Sequence, residues 1–543
     1  MHSKNKYTLT SKLPIAVAFL GFLALGLGIL YNGHPNEDAY ILFVYVKNFL
    51  NGYGISYYPG GGHAEGATDF LWMALLILTS ETGLNVAFSA TFLNAVGAAL
   101  ICAIALKILK KELPDIQPGR YGLIFAIAVV LSPIATAAMG GFSTLLYSSI
   151  ITLMFYIHYK CEKSNFILIP WIGLIISLFR PDGILIGITA TVIALFQVDA
   201  SSRKKYIINT LLAALAGGLY FVSRYYYFGL LWPLPLYVKT TTNSIAPGLY
   251  PTFLWLLSMA FIAPATTYYI YQNRFNKRLI LALIPAITLI IGFTFINQTQ
   301  NIASRFQNSI FGILLTLCFI GSIKISKHTK SSYLLFIALM ALPITAYTGK
   351  YIVKHIIYLT NDDYAYFLPQ ELNSVTDSDT SILLSEAGRT AYWANGKKID
   401  LVGLNTPEIA KYGVATFNFE EANPDIIFVN TAKTLAVKNC TKGFEKVTPE
   451  ELSSLRLEVS KNWKSINDPV IKAPGAAIDY ITNNPRKFDT YLVCDEGSNY
   501  HLYSINRSNK KLTQAFPELL KKSHSPEGRI SFIESYKKFT EKH

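Results

Sequence analysis

Residues 34–72, HPNEDAYILFVYVKNFLNGYGISYYPGGGHAEGATDFLW, bring acids, aromatic rings and glycines together directly after an apolar run. That run, residues 13–31, is long enough to cross a membrane as a helix. Lysines precede it and no small-residue cleavage site follows it, so we expect an uncleaved anchor and not a signal peptide. The polar stretch is therefore the first loop of a membrane protein, and its composition predicts that this loop carries chemistry.

The composition of the whole chain supports a membrane protein. Of its 543 residues, 51% are hydrophobic and only 15% are charged, and the mean hydropathy is +0.32. Apolar runs near the length of a membrane helix recur up to residue 347 and are missing after it. We therefore predict a polytopic α-helical membrane domain at 1–348 and a C-terminal domain at 349–543.

Basic residues indicate the topology. The chain has twelve apolar runs, and if all of them crossed the membrane, most Lys and Arg clusters would lie opposite the basic N-terminus. The run at 68–82 is short and is followed by Glu81, which favours a helix lying in the interface. If the run at 68–82 is not counted as a span, every basic cluster lies on the cytoplasmic side, where membrane proteins carry most of their Lys and Arg. We expect eleven spanning helices with the C-terminal domain outside, and no nucleic-acid partner despite a net charge of +14.

Glu37 and Asp38 begin a segment that we expect to form a helix along the membrane surface. A carboxylate at a partly dry interface gains proton affinity and can act as a general base. The same residues fit an ordinary helix N-terminus, where the helix dipole favours acids. Spacing alone favours this second interpretation.

Residues 57–66, YYPGGGHAEG, form a glycine-rich segment with two tyrosines, a histidine and an acid. Backbone amides and stacking rings in such a segment could bind a sugar or a phosphate. Most glycine-rich loops are plain turns, and this one matches neither the phosphate-loop nor the dinucleotide fingerprint. The segment therefore predicts no nucleotide site.

Charged residues in and beside the later apolar runs are further candidates. Arg180 and Asp182 lie within an apolar run, where a charge is costly and marks either a functional site or a buried ion pair. Arg224, Lys239 and Arg305 also fall towards the outer face. Each could bind an anionic phosphate or be an interfacial side chain that reaches to water.

The cysteines and the acidic residues are candidates for a disulfide bond and for metal binding. Cys440 and Cys494 are the two cysteines of the C-terminal domain, where an oxidising compartment would let them pair, and we predict this disulfide. No metal-binding cysteine spacing is present. The acids of the first loop could gather around a divalent cation, but we expect no obligatory metal or other cofactor.

Seven short motifs follow one another in a fixed order. They are EDAYI at 37–41, VKNFLNGYG at 46–54, EGATDFLW at 65–72, FRPDG at 179–183, FGLLWPLPLYVK at 228–239, EAG to DLVGLN at 386–405 and PDII at 424–427. In this order they resemble the signature of the GT-C glycosyltransferases. Within that superfamily they are similar to the terminal arabinofuranosyltransferases of mycobacterial walls and the arabinofuranosyltransferase of type IV pilin. Four residues depart from it: Glu37, Ser143 and Asp182 stand where that group has Asp, Glu and Glu, and Asp69 stands where it has a polar neutral residue.

The resemblance implies inverting transfer (EC class 2.4) of one sugar, D-arabinofuranose by closest similarity, from a polyprenyl-phosphate carrier. The acceptor would be a pilin or a cell-envelope glycan at the outer, periplasmic face of the bacterial inner membrane. Asp38, with Glu37 beside it, would be catalytic and would deprotonate the acceptor hydroxyl. Residues implied to bind the donor phosphate are Arg180, Arg224, Lys239 and Arg305. Residues implied to contact sugar, carrier or acceptor are Tyr40, Tyr57, Tyr58, His63, Glu65, Asp69, Trp72, Asp182 and Tyr237.

The sequence of the C-terminal domain predicts a mixed α/β fold. Its predicted strands are 381–384, 399–402, 425–429, 491–493 and 501–505, followed by a helix from residue 510. Acceptor docking and a purely structural cap are the two roles we consider for it.

Three other functions compete with arabinofuranosyl transfer. A GT-C transferase of mannose, rhamnose or aminoarabinose is the nearest alternative. A transporter of lipid-linked sugars would also place charges in a helical bundle, but the chain lacks the internal repeats typical of transporters. A scaffold that presents the C-terminal domain would not need Asp38 or Arg180.

Overall fold

The computed structural model describes residues 2–239, 245–298, 300–327, 332–360, 364–431, 434–436, 443–494, 500–524 and 534. As far as residue 372, the regular secondary structure of the described chain consists of helices. Their bounds are His2–Asn32, Glu37–Leu50, Phe70–Ser80, Val86–Glu112, Pro118–Val130, Pro133–Met139, Thr144–Lys160, Ile169–Phe179, Gly183–Gln197, Ala200–Phe228, Leu234–Lys239, Leu249–Ser258, Ala263–Gln272, Lys277–Thr294, Phe311–Ser326, Ser332–Tyr347, Lys354–Leu359 and Tyr364–Leu372.

Among the described residues, six helices are long and apolar enough to cross a membrane. The number rises to eight if each of two bent pairs, 118–139 and 249–272, forms one span. The predicted spans near 142–159, 164–179 and 183–198 form the helices Thr144–Lys160, Lys163–Phe179 and Gly183–Gln197, each of which has fewer than 18 residues. The fold class of a polytopic helical membrane protein is confirmed, whereas eleven spans and the domain boundary at 348 stay predictions.

The predicted interfacial segment is the helix Phe70–Ser80. Its 11 residues reach only about 17 Å, which is too short for a membrane span. A helix is also confirmed at Glu37–Leu50, where it packs against Phe70–Ser80, and its place along the membrane surface stays a prediction. The first loop therefore contributes two short helices, which position several of the predicted site residues.

Close packing of two membrane helices positions the turn at residues 140–143. A Cβ atom on Gly97 would lie 2.5 Å from the backbone nitrogen of Leu146, so helices Val86–Glu112 and Thr144–Lys160 meet at a glycine. Nearby, the buried side chain of Asn94 donates to the carbonyl of Phe142 at 2.8 Å and accepts from the amide of Leu145 at 3.1 Å. These contacts hold the 140–143 turn in place.

The C-terminal domain contains one six-stranded sheet. Its strands are β1 (Ser381–Leu384), β2 (Lys397–Asp400), β3 (Ile426–Asn430), β4 (Gly443–Val447), β5 (Phe488–Cys494) and β6 (Tyr500–Asn506). Their order is β2-β1-β3-β6-β5-β4, with β1 parallel to β2 and β3 and the other pairs antiparallel. Its helices are Arg389–Trp393, Pro407–Tyr412, Phe419–Ala422, Pro449–Leu455, Glu458–Lys461, Pro469–Asn483 and Lys510–His524.

The five predicted strands and the predicted terminal helix are confirmed, with end shifts of up to three residues. Strand β4 was not predicted, because it lies at the sheet edge and its central residues are exposed, so it lacks an alternating apolar pattern. Cys494 is disulfide-bonded, and Cys440, its predicted partner, lies outside the described residues. Cys102, Cys161 and Cys318 are free thiols.

Candidate active site

Asp38 lies in the first turn of helix Glu37–Leu50, and this helix start is fixed from outside. The side chain of Asn36 caps the helix by accepting from the amide of Asp38 at 3.2 Å. The amide of Asn36 in turn donates to the carbonyl of Gly140 at 2.9 Å. Because Asn36 supplies the cap, the Asp38 carboxylate is not required for it and lines a cavity instead.

This main cavity has a volume of about 250 Å³ and is lined by residues from seven separate parts of the chain. It brings together six of the residues that the sequence singled out, which are Asp38, Asp69, Trp72, Arg180, Asp182 and Arg305. The cavity therefore combines three carboxyl groups with two guanidinium groups.

Arg305 is the cation nearest to Asp38. One of its terminal nitrogens lies 3.6 Å from the Asp38 carboxylate, and its guanidinium lies over the ring of Phe142 at 4.0 Å. Its Nη1 is buried and donates no hydrogen bond to the described part of the chain. A buried guanidinium that keeps donor capacity in a cavity can bind an anionic group.

Arg180 contacts Phe306, whose ring centre is 4.8 Å from its guanidinium carbon. Its Nε donates to Asp182 at 3.0 Å, so the two charges that looked costly in an apolar run form an ion pair. Burial raises the pKa of Asp69, while Arg180 and Arg305 oppose the rise. The cavity thus combines charged side chains with a largely apolar lining that includes aromatic rings.

A second cavity of about 200 Å³ lies between helix Glu37–Leu50 and the C-terminal domain, and we call it the interface cavity. It shares Asp38, Ile41, Gln300 and Leu404 with the main cavity. Asp38 therefore lies where two cavities meet, one in the membrane domain and one at the domain interface.

Carboxyl groups from the C-terminal domain line the interface cavity. Burial, reinforced by the charge of Glu37, raises the pKa of Glu386 to about 8. Burial also raises the pKa of Asp400 to about 6, although the side chain and amide of Asn405 donate to its carboxylate. Asn430 donates to Glu386 Oε1 at 3.1 Å.

Glu37 is buried in a set of contacts with the C-terminal domain. Its carboxylate pairs with Arg389 Nε at 2.5 Å and accepts from the amides of Gly388 and Arg389 at 2.7 and 3.0 Å. A Cβ atom on Gly388 would lie 2.1 Å from the Glu37 carbonyl, so only glycine fits there. These bonds hold the loop after β1 against the start of the Asp38 helix.

Two predicted site residues pair with each other away from the main cavity. Arg224 donates to Glu65 through Nε at 2.8 Å and also to the carbonyl of Leu231 at 2.8 Å. His63 stacks on Tyr227 with ring centres 3.9 Å apart. These contacts bind the glycine-rich loop to the end of helix Ala200–Phe228, and none of these side chains lines either cavity.

The predicted tyrosines also lie beside the cavities and not in their linings. Tyr40 is buried against Tyr392, with ring centres 5.3 Å apart, and Tyr57 donates to the carbonyl of Ala387 at 2.7 Å. Tyr58 and Tyr237 are half-buried. The Lys239 side chain lies outside the described residues, although its backbone ends the helix Leu234–Lys239.

Sequence reasoning missed the rings of Phe142 and Phe306 and the polar residues Glu386 and Asn430. The two rings carry no signal in sequence, because their contacts with arginines depend on tertiary packing. Glu386 begins the EAG motif, so its motif position could have marked it. Among the described residues, no group of three His, Cys, Asp or Glu side chains is arranged to hold a metal ion.

The comparisons concern the fold. Residues 359–503 match a family described as a domain of unknown function, DUF8728. A search of curated proteins gives no match. The chain is similar to the crystal structure of ArnT from Cupriavidus metallidurans in the apo state, with 12% identity, a TM-score of 0.53, and coverage of 93% of this chain and 98% of that chain.

It is likewise similar to the structure of ArnT from Cupriavidus metallidurans bound to undecaprenyl phosphate. There the identity is 11% and the TM-score 0.53, over 89% of this chain and 97% of that chain. Both alignments run through the membrane helices and into the C-terminal domain, since they cover nearly all of each chain. The chain therefore has an ArnT-like fold, a polytopic helical membrane domain followed by a small sheet domain.

Proposed function

We propose that the protein is an inverting glycosyltransferase that moves one sugar from a polyprenyl-phosphate carrier to an acceptor hydroxyl. The observation that carries this proposal is the meeting of a carboxylate, Asp38, with the guanidinium groups of Arg305 and Arg180 in one cavity. A base and a set of phosphate-binding charges are the two parts that this reaction needs. The undecaprenyl phosphate in one ArnT structure supports a lipid-linked donor.

In the proposed reaction, the acceptor oxygen attacks the anomeric carbon while its proton passes to Asp38. The bond between that carbon and the phosphate oxygen breaks, and its electron pair stays on the phosphate. Arg305 and Arg180 stabilise the negative charge that grows on the leaving phosphate. One displacement inverts the anomeric centre, so no covalent enzyme intermediate forms.

Arg305 also contacts the proposed base, with a guanidinium nitrogen 3.6 Å from the Asp38 carboxylate. A donor phosphate competes for this guanidinium, so donor binding draws Arg305 away from Asp38 and leaves the carboxylate to the acceptor hydroxyl. Glu37, held by Arg389, positions Asp38 in this scheme.

For the sugar we propose D-arabinofuranose, because the ordered motifs are most similar to arabinofuranosyltransferases. Aminoarabinose, mannose and rhamnose are the alternatives within the same reaction. The acceptor is a pilin or an envelope glycan at the periplasmic face of the inner membrane, an orientation supported by the basic loops. A transporter of lipid-linked sugars is the alternative outside this class, and it would break no bond.

The test is acceptor-dependent release of polyprenyl phosphate by the purified protein in detergent, followed by mass spectrometry. The donors are synthetic polyprenyl-phospho-arabinofuranose and its aminoarabinose, mannose and rhamnose counterparts, and the acceptors are octyl arabinofuranoside and a threonine peptide. Release with one donor identifies the sugar. Binding of every donor without release from any would contradict a transferase.

Replacing the proposed base provides the first prediction. Asp38→Asn keeps the size of the side chain but cannot take a proton, so turnover should fall by about 10²- to 10⁴-fold. Binding of undecaprenyl phosphate, followed by a thermal shift, should persist. The control is Glu81→Gln, an exposed acid in the same domain, which should keep full activity. Wild-type turnover in Asp38→Asn would move the base to another carboxyl.

A further inference from the structure

The interface cavity differs from the main cavity in its charge. Its lining includes the carboxyl groups of Glu37, Asp38, Glu386 and Asp400, and its described lining contains no Lys, Arg or His. The main cavity, in contrast, contains Arg180 and Arg305. Guanidinium groups that can bind an anionic group therefore line the main cavity, whereas the acidic lining of the interface cavity disfavours an anion.

Glu386 is held at a fixed place in this lining. It follows β1 in a short loop whose Ser385 Oγ accepts from the amide of Asn430 at 2.8 Å, while the Asn430 side chain donates to Glu386 Oε1. On the other side, Ala387 and Gly388 bond to Tyr57 and Glu37 of the membrane domain. The loop is thus fixed from both domains, and its carboxyl lines the same cavity as Asp38.

We propose that Glu386, in its protonated form, binds the acceptor in the interface cavity by donating a hydrogen bond to an acceptor hydroxyl beside the one that Asp38 deprotonates. The acceptor is then a neutral, polyhydroxylated group and not an anionic one. This inference rests on the proposed function and names the binding site for its second substrate.

The surroundings of Glu386 favour the protonated form. Glu37 and Asp38 face it from the Asp38 helix, Asp400 lines the same cavity, and Arg389 is the cation that opposes them. Burial and then the charge of Glu37 disfavour a negative charge on Glu386, so the proton stays on its carboxyl group. With the pKa of Glu386 raised to about 8, the hydrogen-bond donor is present below this pH and is lost above it.

The experiment compares Glu386→Gln and Glu386→Leu with wild type between pH 6 and pH 9.5. The readouts are turnover with polyprenyl-phospho-arabinofuranose and octyl arabinofuranoside, or with whichever tested donor and acceptor support wild-type turnover, and the thermal shift caused by undecaprenyl phosphate. Gln keeps a neutral N–H donor, so it should retain activity at pH 7 and lose the decline above pH 8. Leu should lower turnover by about 10- to 100-fold at every pH while keeping the shift.

Two controls separate the effect of Glu386 from the effects of surface charge and of other titrating groups. Glu408→Leu, an exposed acid of the same domain, should behave as wild type. Lys47 and Lys398, whose pKa values burial lowers to about 8 and about 7, line neither cavity, and a decline caused by them would persist in Glu386→Gln.

Three outcomes would overturn the proposal: full activity in Glu386→Leu, equal loss in Gln and Leu variants that still bind undecaprenyl phosphate, or a persistent alkaline decline in Glu386→Gln. An octyl glycoside that carries a carboxylate beside the reacting hydroxyl should be a poor acceptor, and equal turnover with it would also count against the proposal. Absence of wild-type turnover with every tested donor and acceptor would contradict the proposed function itself.

Discussion

The guanidinium of Arg305 contacts two rings and one carboxylate in the main cavity, with Phe142 at 4.0 Å, Phe306 at 5.6 Å and Asp38 at 3.6 Å. Cation–π contact fixes its position without using its N–H groups, which can then donate in pairs to the oxygens of a phosphate. A lysine at this position would keep the charge but lose the planar arrangement of donors.

Arg305→Lys should therefore weaken binding of undecaprenyl phosphate by about 10-fold, and Arg305→Gln should weaken it further. Titration of the purified variants by thermal shift or microscale thermophoresis measures the dissociation constants. Arg274→Gln, an exposed arginine elsewhere in the membrane domain, is the control and should leave the constant unchanged. Unaltered affinity in Arg305→Gln would assign the phosphate to Arg180 alone.

Single residues also show what could not be predicted from the sequence. Arg180 was found because a charge within an apolar run is costly and needs a reason. Asp38 and Glu65 were found through the first-loop motifs, and Arg224 and Arg305 through their position towards the outer face, yet Glu65 and Arg224 pair with each other. The rule detects a buried charge but not its partner, because partners here are as much as 352 residues apart, as for Glu37 and Arg389.

Among the secondary-structure elements, those with a regular spacing of apolar residues could be predicted from the sequence. The helix Glu37–Leu50, the short helix Phe70–Ser80 and five of the six strands follow from apolar spacing. Strand β4 does not, because an exposed edge strand needs no buried face. The position of the loop after β1 against the Asp38 helix depends on tertiary contacts and could not be predicted.

The ion pair between Glu37 and Arg389 joins these two elements and provides the next prediction. Glu37→Gln leaves the buried Arg389 without its carboxylate and should cost about 3 kcal/mol, lowering the thermal unfolding midpoint. The double variant Glu37→Gln with Arg389→Met removes the unpaired charge and should recover most of that stability. If both variants unfolded at the same temperature, the pair would not be what holds the loop.

The arrangement of the whole molecule places the proposed chemistry between its two domains. Asp38 belongs to the first loop, Arg305 to a later membrane segment and Glu386 to the C-terminal domain, so the site needs both domains together. Gly66 shows how closely they meet, since a Cβ atom there would lie 2.0 Å from Asn405 Oδ1 and 2.5 Å from the Tyr45 hydroxyl. The proposed chemistry is therefore expected on the same side of the membrane as the C-terminal domain.

Topology is the prediction that belongs to this scale. The Lys and Arg clusters between apolar runs predict that the C-terminus lies outside, and the disulfide at Cys494 suits an oxidising compartment. Alkaline phosphatase fused after residue 543 should be active and green fluorescent protein fused there should be dark, while both reporters should give the reverse result after Lys163. Fluorescence at the C-terminus would place the sheet domain in the cytoplasm, and the acceptor would then have to be a cytoplasmic molecule.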